Sequence, residues 1–392
     1  MIYDPYSRQM QENPNPTYHY FLEEDPCSYN PKMDFYALFR FEDVWEATLD
    51  WKTYSSRLGP TLENRTAPPT DMMSIIAMDP PRQVKIRNLA TKGFTPRRIA
   101  AMEQEIRRIA RLYLDPLRDM HACDFQEALS TKLPMDVISA LLGIPEEFRA
   151  SYRETVEKGL ERDPETGLPP EADWEALQRN REYLLGLVEE RRTRPRDDLI
   201  TVLAQTRYED VDGETKPLTD SEILAFVGLL AAAGAETTQK LIGNCMVYLA
   251  QHPAQRQRLW DDPGLIPAAI EEVLRYDAPS QFQGRVAQRD VVVHGVTIPE
   301  GARVALVTGA ACRDPREFPE PDRLDIDRRP ERQLYCGYGQ HVCIGKSLAR
   351  LETRVVLEEV RERLPHYEVD EAGLTRTYQA HVRGFASVPI RY

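Results

Sequence analysis

The chain has 392 residues, of which 42% are hydrophobic and 29% are charged, and its formal net charge is −13. This composition allows a large hydrophobic core, and the excess of acidic residues argues against nucleic acid as a partner. The six cysteines are scattered without a disulfide framework, and the N-terminus lacks a basic segment followed by an apolar run. We therefore expect a cytoplasmic protein.

Hydrophobic periodicity predicts a mainly helical chain with a few short strands. Strands are predicted at 35–40, 291–298 and 303–308, and the first two or three are expected to form a small sheet with a C-terminal strand at 386–391. Asp212-Gly213 predicts a tight turn. The predicted helices, in chain order, are 101–115, 133–143, 146–160, 174–192, 197–206, 220–250, 252–260, 265–277 and 346–363.

The helix predicted at 220–250 contains an apolar run from 223 to 235. A run of this length is too short to span a bilayer and is typical of a helix at the centre of a large core. Ala233 and Gly234 reduce side-chain bulk, so that a flat group could lie against the helix. An acid and an alcohol follow, although Glu236 could equally be a surface residue and Thr237 could bond to the carbonyl four residues earlier.

In the helix predicted at 265–277, Glu272 and Arg275 are three residues apart. An exposed pair with this spacing contributes only about 0.3–0.5 kcal/mol, so the pair by itself does not indicate a function.

Near its C-terminal end the chain reads Gly337-Tyr338-Gly339-Gln340-His341-Val342-Cys343-Ile344-Gly345. Glycines permit left-handed turns and close approach to a flat partner. A cysteine just before a helix N-terminus lies where backbone N–H groups favour its thiolate, and a haem iron can take a cysteine thiolate as axial ligand. A zinc site fits poorly because no second pair of ligands accompanies His341 and Cys343. A lone cysteine is also commonly a buried apolar residue.

This stretch resembles the cysteine-ligand loop of the cytochrome P450 family, written F-G-x-G-x-H-x-C-x-G, at every position but the first. Cys336 stands where the family has phenylalanine. The segment 233–238 resembles the family's A-G-x-[DE]-T-[TS], and the E-x-x-R pair lies between the two motifs in the family's order. The resemblance implies a mainly α cytochrome P450 fold with small β-sheets, built as one large triangular-prism domain over 1–392. In that domain 1–30 is an N-terminal extension and 337–345 is the cysteine-ligand loop.

The resemblance implies haem b as cofactor, with Cys343 as the metal ligand. It also implies that Glu236 and Thr237 are catalytic residues that deliver protons to bound dioxygen. The segment 79–87 resembles D-P-P-x-H-x-x-x-R, with Gln83 in place of histidine. The residues expected to contact the cofactor are Cys343, His341, Arg87, Arg285, Gln83, Ala233, Gly234, Gly337 and Gly345. Arg323, in a segment that resembles the family's, is expected to complete a buried structural triad with Glu272 and Arg275.

The expected substrate pocket is mostly apolar, which favours a lipophilic small molecule. The C-terminal stretch of the chain, 381–389, resembles family members that act on steroids, terpenoids and branched lipids. The polar loop at 163–170 corresponds to the family's mobile lid over the substrate channel. The predicted pocket residues are Phe226, Leu229, Leu230, Ala233, Gln281, Phe282 and Val382, with the loop around 72–76.

The activity implied is monooxygenation, the insertion of one oxygen atom from dioxygen into the substrate. No flavin or reductase domain is recognised, so electrons are expected from a ferredoxin-type partner that acts on a monomer without a membrane span. A locally basic face would attract that partner, and its candidates are Lys92, Arg97, Arg98, Lys346 and Arg350. A peroxide-driven peroxygenase, a non-catalytic haem sensor and a haem-free scaffold remain alternatives.

Overall fold

The computed structural model describes residues 1–63, 74–160, 171–378 and 381–392. The predicted loop at 163–170 and the pocket residues 72 and 73 lie outside these ranges. Each of the nine predicted helices is confirmed within two residues at either end. The helices of the described chain are α1 (Arg8–Glu12), α2 (Asn15–Glu23), α3 (Phe41–Leu49), α4 (Arg82–Thr91), α5 (Pro96–Ala101), α6 (Glu103–Leu114), α7 (Lys132–Leu142), α8 (Glu146–Leu160), α9 (Trp174–Thr193), α10 (Leu199–Gln205), α11 (Asp220–Gln251), α12 (Pro253–Asp261), α13 (Ile266–Tyr276), α14 (Thr308–Ala311) and α15 (Lys346–Arg363).

The 32-residue helix α11 runs through the core and packs against α7, α13 and α15. A capping box begins it, because Thr219 Oγ1 accepts from the Glu222 N–H at 3.2 Å and the Glu222 carboxylate accepts from the Thr219 N–H at 2.8 Å. By length and composition α11 could cross a bilayer, a test that core helices also pass. Its C-terminal half, from Lys240 to Leu249, is buried without interruption, as in a core helix.

The strands form one five-stranded sheet and several two- or three-stranded sheets. In the larger sheet the order is β1-β2-β10-β7-β3, with β2 and β10 parallel and the other pairs antiparallel. The strands of the described chain are β1 (Cys27–Asn30), β2 (Phe35–Leu38), β3 (Tyr54–Ser55), β4 (Ala122–Asp124), β5 (Arg207–Glu209), β6 (Thr215–Pro217), β7 (Gln283–Ala287), β8 (Val291–Val293), β9 (Val296–Ile298), β10 (Arg303–Leu306), β11 (Glu368–Val369), β12 (Thr375–Arg376), β13 (Phe385–Ser387) and β14 (Pro389–Arg391).

The predicted pairing of the C-terminal strand is wrong. β13 pairs with β12, and β14 pairs with β11 and β4, so that 386–391 does not join the larger sheet. The predicted strand 291–298 is the hairpin β8–β9, whose turn residues His294 and Gly295 both have positive φ, as a two-residue hairpin turn requires. The tight turn predicted at Asp212-Gly213 is confirmed in the β5–β6 hairpin, with φ of 82° at Gly213.

The first 30 residues, expected as an extension, are part of the packed structure. Tyr3 packs edge-to-face against Phe39 and Phe21 stacks on it, with ring centroids 4.9 and 4.4 Å apart, in a buried cluster beside the larger sheet. Arg383, near the C-terminus, donates to the backbone carbonyls of Gln11 and Glu12 at 3.2 and 3.1 Å. These contacts join the N-terminal segment of the chain to its C-terminal segment.

A buried ion-pair cluster connects α13 to the segment that precedes the glycine loop. Glu272 and Arg275 form two hydrogen bonds of 2.8 Å, and both side chains are buried. Arg275 also donates to the carbonyls of Cys312 and Pro321 at 3.0 and 2.8 Å. Because both charges are paired and bonded, the pair fixes the position of this segment at little cost in buried charge.

The predicted third member of this cluster is wrong. The side chain of Arg323 is 60% exposed and pairs with Glu320 and Asp325 on the surface. Arg328 takes the expected place, because its Nε lies 3.3 Å from the Glu272 carboxylate and its side chain is mostly buried. Arg323 contributes only its backbone carbonyl, which accepts from Arg275 at 3.3 Å.

Replacing Arg328 should therefore destabilise the protein more than replacing Arg323. We expect Arg328→Met to lower the free energy of unfolding by about 1–3 kcal/mol, since the buried Glu272 carboxylate loses a charged donor. Arg323→Met should change it by less than about 0.5 kcal/mol, as surface pairs do. Urea denaturation of both variants measures the difference, and equal losses would assign the third position to neither arginine.

Candidate functional site

The glycine loop presents one cysteine to the interior of the protein. Gly337 and Gly339 have φ of 65° and 66°, a conformation that favours glycine, and they turn the chain into α15. The N–H of Cys343 donates to the carbonyl of Cys336 at 2.8 Å, which closes the loop on itself. Gly345 directs its backbone N–H at the Cys343 sulfur. The side chain is thus held by backbone geometry and is exposed to the cavity.

The surroundings of Cys343 shift the pKa of its thiol in two opposite directions. Burial raises the pKa of its thiol above the usual value, because it faces an internal cavity and not bulk water. The Gly345 N–H and the positive charges of Arg87, Arg350 and Lys346 oppose that shift. A thiolate at this position is therefore surrounded by donors and cations that stabilise it.

A cavity of about 280 Å³ brings the two sequence motifs together. Cys343, Gly337 and His341 of the glycine loop line one part of it. A row of side chains one turn apart on α11 lines another part, and this row consists of Leu229, Ala233, Thr237 and Leu241, with Glu236 and Thr238 beside it. The small side chain of Ala233 leaves space along the helix, as the sequence predicted.

The acid and the alcohol both reach this cavity. Thr237 Oγ1 donates to the carbonyl of Ala233 at 2.9 Å, so the hydroxyl oxygen remains able to accept a hydrogen bond from the cavity side. Glu236 is 9% exposed and lines the same cavity. The backbone bond of Thr237 was one sequence interpretation and the cavity-facing role was the other, and this geometry accommodates both.

Two arginines, Arg285 and Arg87, and the neutral imidazole of His341 lie together at the edge of the cavity. Burial lowers the pKa of Arg285 to about 10, and its Nη1 donates to the Gly284 carbonyl at 2.8 Å. Burial and the charges of Arg285 and Arg87 lower the pKa of His341 to about 3, and its buried Nε2 has no partner. In the described part of the chain no carboxylate lies within ion-pair distance of these three groups. A buried cluster of this kind is costly unless a bound anion balances it.

These residues fit a haem. No group of three or more metal-binding side chains is found in the described ranges, so Cys343 would need a ligand framework such as a porphyrin to complete the coordination of a metal. The cations beside the cavity suit the two propionate carboxylates, and Ala233 offers a flat opposing surface.

Two of the expected cofactor residues contact the loop instead of lining the cavity. Gln83 is fully buried and its Nε2 donates to the Gln340 carbonyl at 2.9 Å. Arg87 Nη2 donates to the Val342 carbonyl. Both side chains extend from α4 and hold the loop backbone on either side of His341.

Gly234 and two of the expected pocket residues on α11 face away from the cavity. A Cβ at Gly234 would meet Ile138 of α7 at 3.4 Å, so this glycine packs against a helix. Phe226 faces a small void beside Met78, and Leu230 is buried in the main core. Phe226, Leu230 and Gly234 lie one turn apart and form a second row on α11. The sequence prediction assigned residues of this row and of the cavity-lining row to the same site.

The prediction for Gln281 and Phe282 is also wrong in position. Tyr18 donates to Gln281 Oε1 at 2.5 Å, and Phe282 is fully buried in the cluster beside the larger sheet. Ser280 and Gln283 line the cavity instead, while Val382 and Leu229 line it as predicted. Gln283 was recognisable because it precedes Arg285 by two residues, and strand side chains two apart share a face. Thr308 also lines the cavity, and no motif marked it.

Comparisons with known proteins all point to one family. A family model described as Cytochrome P450 matches residues 171–262 and 264–375. Cytochrome P450 130 of Mycobacterium tuberculosis is 34% identical over 388 residues, with 97% of this chain and 95% of that protein covered. The structure of CYP109Q5 from Chondromyces apiculatus matches with a TM-score of 0.89 and 34% identity, covering 99% and 97% of the two chains. CYP109E1 from Bacillus megaterium in complex with corticosterone matches at 0.86 and 30%, covering 98% and 99%.

The geometry predicts that one sulfur, and not its neighbour, ligates iron. We expect Cys343→Ser to abolish the red-shifted absorption band that CO gives with reduced, thiolate-bound haem, because oxygen is a weaker electron donor than sulfur. Cys336→Ser should retain that band, since Cys336 contributes its backbone carbonyl to the loop. Absorption spectra of the two reduced, CO-treated variants decide between them, and loss of the band in both would leave the ligand unassigned.

Proposed function

We propose that this chain, which belongs to the cytochrome P450 family and is a haem monooxygenase, oxidises a lipophilic small molecule with electrons from a separate ferredoxin-type protein. The observation that carries the proposal is the shared cavity, in which Cys343 of the glycine loop and the acid–alcohol pair of α11 meet. Haem b is the cofactor of the family.

Haem, when bound, supplies the redox chemistry by which dioxygen is activated. The overall reaction takes substrate, dioxygen, two electrons and two protons to the oxidised product and water. Cys343 would hold the haem iron through its thiolate, and Arg285 and His341 would bind the haem carboxylates. Glu236 exchanges protons with the cavity, and the Thr237 hydroxyl, whose proton is donated to the Ala233 carbonyl, accepts hydrogen bonds there. The apolar walls exclude bulk water from these groups.

The lining of the cavity supports a lipophilic substrate. Leu229, Leu241, Leu306, Ile76 and Val382 contribute apolar surface to it. Two solved structures of CYP109E1, similar to this chain at 30–31% identity, are described as complexes with corticosterone and testosterone. A steroid, terpenoid or branched lipid is the substrate class that we propose.

Two exposed cations support docking of an acidic electron donor. Lys92 and Arg97 are exposed, and neither forms an ion pair with a described residue. Arg98 is paired with Asp197, and Arg350 is paired with Glu271 at 2.5 Å, so their charges are already balanced. Lys346 lines the cavity. In a chain with a net charge of −13, a free basic pair of this kind gives a local site of opposite sign.

We also propose that the protein is cytoplasmic and monomeric and that it functions as one domain over 1–392. All six cysteines are free thiols, which suits a reducing compartment. The relative and the solved structures compared above match at least 95% of their own length to this chain, which supports a single functional unit.

A spectral binding screen tests the substrate class. Testosterone, corticosterone, a sesquiterpene alcohol and a methyl-branched fatty acid would be titrated into the ferric holoprotein. We expect at least one to shift the Soret band to shorter wavelength, since a ligand above the iron displaces its bound water. Leu229→Glu should abolish that shift, because the carboxylate places a charge in the apolar wall. Leu112→Glu, at an exposed position on α6, is the matched control. A shift with none of the four compounds would contradict the proposed class.

Charge reversal tests the electron donor. With a surrogate [2Fe–2S] ferredoxin at low ionic strength, Lys92→Glu and Arg97→Glu should each slow reduction of the haem about threefold to tenfold. The loss should shrink as salt is added, because screening removes the attraction. Arg118→Glu is a control elsewhere on the surface. A rate that is equally fast in all three variants would exclude this basic pair as the docking site.

A further inference from the structure

A lysine is buried one turn of α11 beyond the acid of the cavity. Lys240 is 4% exposed, and its Nζ donates a hydrogen bond to Thr377 Oγ1 at 2.7 Å. Residues four apart on a helix share a face, so Lys240 and Glu236 are neighbours along α11. A buried ammonium is costly unless a negative charge accompanies it.

The charge that accompanies Lys240 is Glu236. Burial lowers the pKa of Lys240 to about 8, and the negative charge of Glu236 opposes this shift. In the described residues no carboxylate lies within direct ion-pair distance of Lys240 Nζ. The two groups therefore interact over more than an ion-pair distance.

The C-terminal strands fix the lysine in this position. A Cβ at Gly384 would lie 2.6–2.8 Å from Cβ, Cγ and Cδ of Lys240, so only glycine leaves room for the lysine stem. Thr377, which binds the ammonium, donates its own N–H to the Gly384 carbonyl at 3.1 Å. The backbone hydrogen bond between Thr377 and Gly384 thus positions the hydrogen-bond partner of Lys240 and keeps the glycine beside its side chain. A lysine exposed at the protein surface would need neither this hydrogen-bond partner nor this space.

We propose that Lys240 is a positioning residue for Glu236, whose ammonium keeps the carboxylate ionised and directed between the cavity and the C-terminal strands. The inference rests on the proposed function, in which Glu236 and Thr237 deliver protons. A fixed cation one helical turn away favours the charged form of a carboxylate, so a proton that Glu236 takes up is passed on to the cavity and not retained.

Electron consumption without added substrate measures this role. Dioxygen is then the acceptor, and each molecule takes two electrons and two protons to hydrogen peroxide or four of each to water. NADPH oxidation would be followed with saturating surrogate ferredoxin and its reductase, in H2O and in D2O. We expect Lys240→Met to lower the rate about fivefold to twentyfold and to enlarge the solvent isotope effect. Lys240→Arg should recover at least half of the rate, and Lys52→Met, at an exposed lysine, should be unchanged.

Glu236→Gln separates positioning from a structural effect. If Lys240 acts through Glu236, adding Lys240→Met to Glu236→Gln lowers the rate no further. The C–O stretching band of the reduced, CO-bound protein gives a readout besides turnover. Lys240→Met should shift that band in the native background and leave it in place beside Glu236→Gln.

The outcomes distinguish the inference from the function on which it depends. A slow Glu236→Gln with a native Lys240→Met overturns the role of Lys240 and leaves the proposed function standing. Additive losses in the double variant would also overturn it, because they mark a structural role. A native rate in Glu236→Gln overturns the proton-delivery role itself. If Lys240→Met does not fold, Thr377→Val and Lys240→Arg carry the same comparison.

Discussion

The structure depends on holding one sulfur atom at a fixed place opposite α11. The loop that carries Cys343 is short, glycine-rich and without regular secondary structure along most of its length, so other elements must supply its rigidity. Gln83 and Arg87 of α4 bind the carbonyls of Gln340 and Val342. Arg350 of α15 and Tyr335, which precedes the loop, both bind Glu271 of α13, at 2.5 and 2.7 Å. Because these contacts come from three separate elements, the loop cannot shift without breaking buried polar contacts, each of which is costly to leave unpaired.

The charge distribution follows from the same constraint. Among the described residues, Arg285, His341 and the Cys343 thiol line the cavity together with one acid, Glu236. A protein of net charge −13 has many carboxylates that could have neutralised the cations. None of the described ones does so within ion-pair distance, and the cost of that arrangement is offset only when an anionic ligand binds. Binding of the cofactor and stability of the fold are therefore linked, as for any ligand that binds the native state alone.

The sequence predicted the long helices well because each has ten or so residues of clear periodicity. It missed α1 to α5 and α14, which have four to ten residues, and the pairing of the C-terminal strands, which are three residues long and carry too little pattern to specify a partner. Cys343, Arg285 and His341 were predictable because the segments around them resemble motifs of the family, and all three line the cavity. Arg323 was not distinguishable from Arg328 by pattern, since both are arginines in the same loop-rich segment. Only the fold places one of them against Glu272.

The errors on α11 have a common physical cause. A helix that is apolar on all sides offers several equivalent rows, and hydrophobicity cannot say which row faces a ligand. The row of Phe226, Leu230 and Gly234 packs on the protein, while that of Leu229, Ala233 and Thr237 lines the cavity. Polar residues break this equivalence: Thr237 belongs to the second row, so the residues four and eight positions before it should be chosen for the pocket. Lys240 follows Glu236 by one turn, and because it is buried beside that acid its charge marks this part of α11 as more than an apolar core helix.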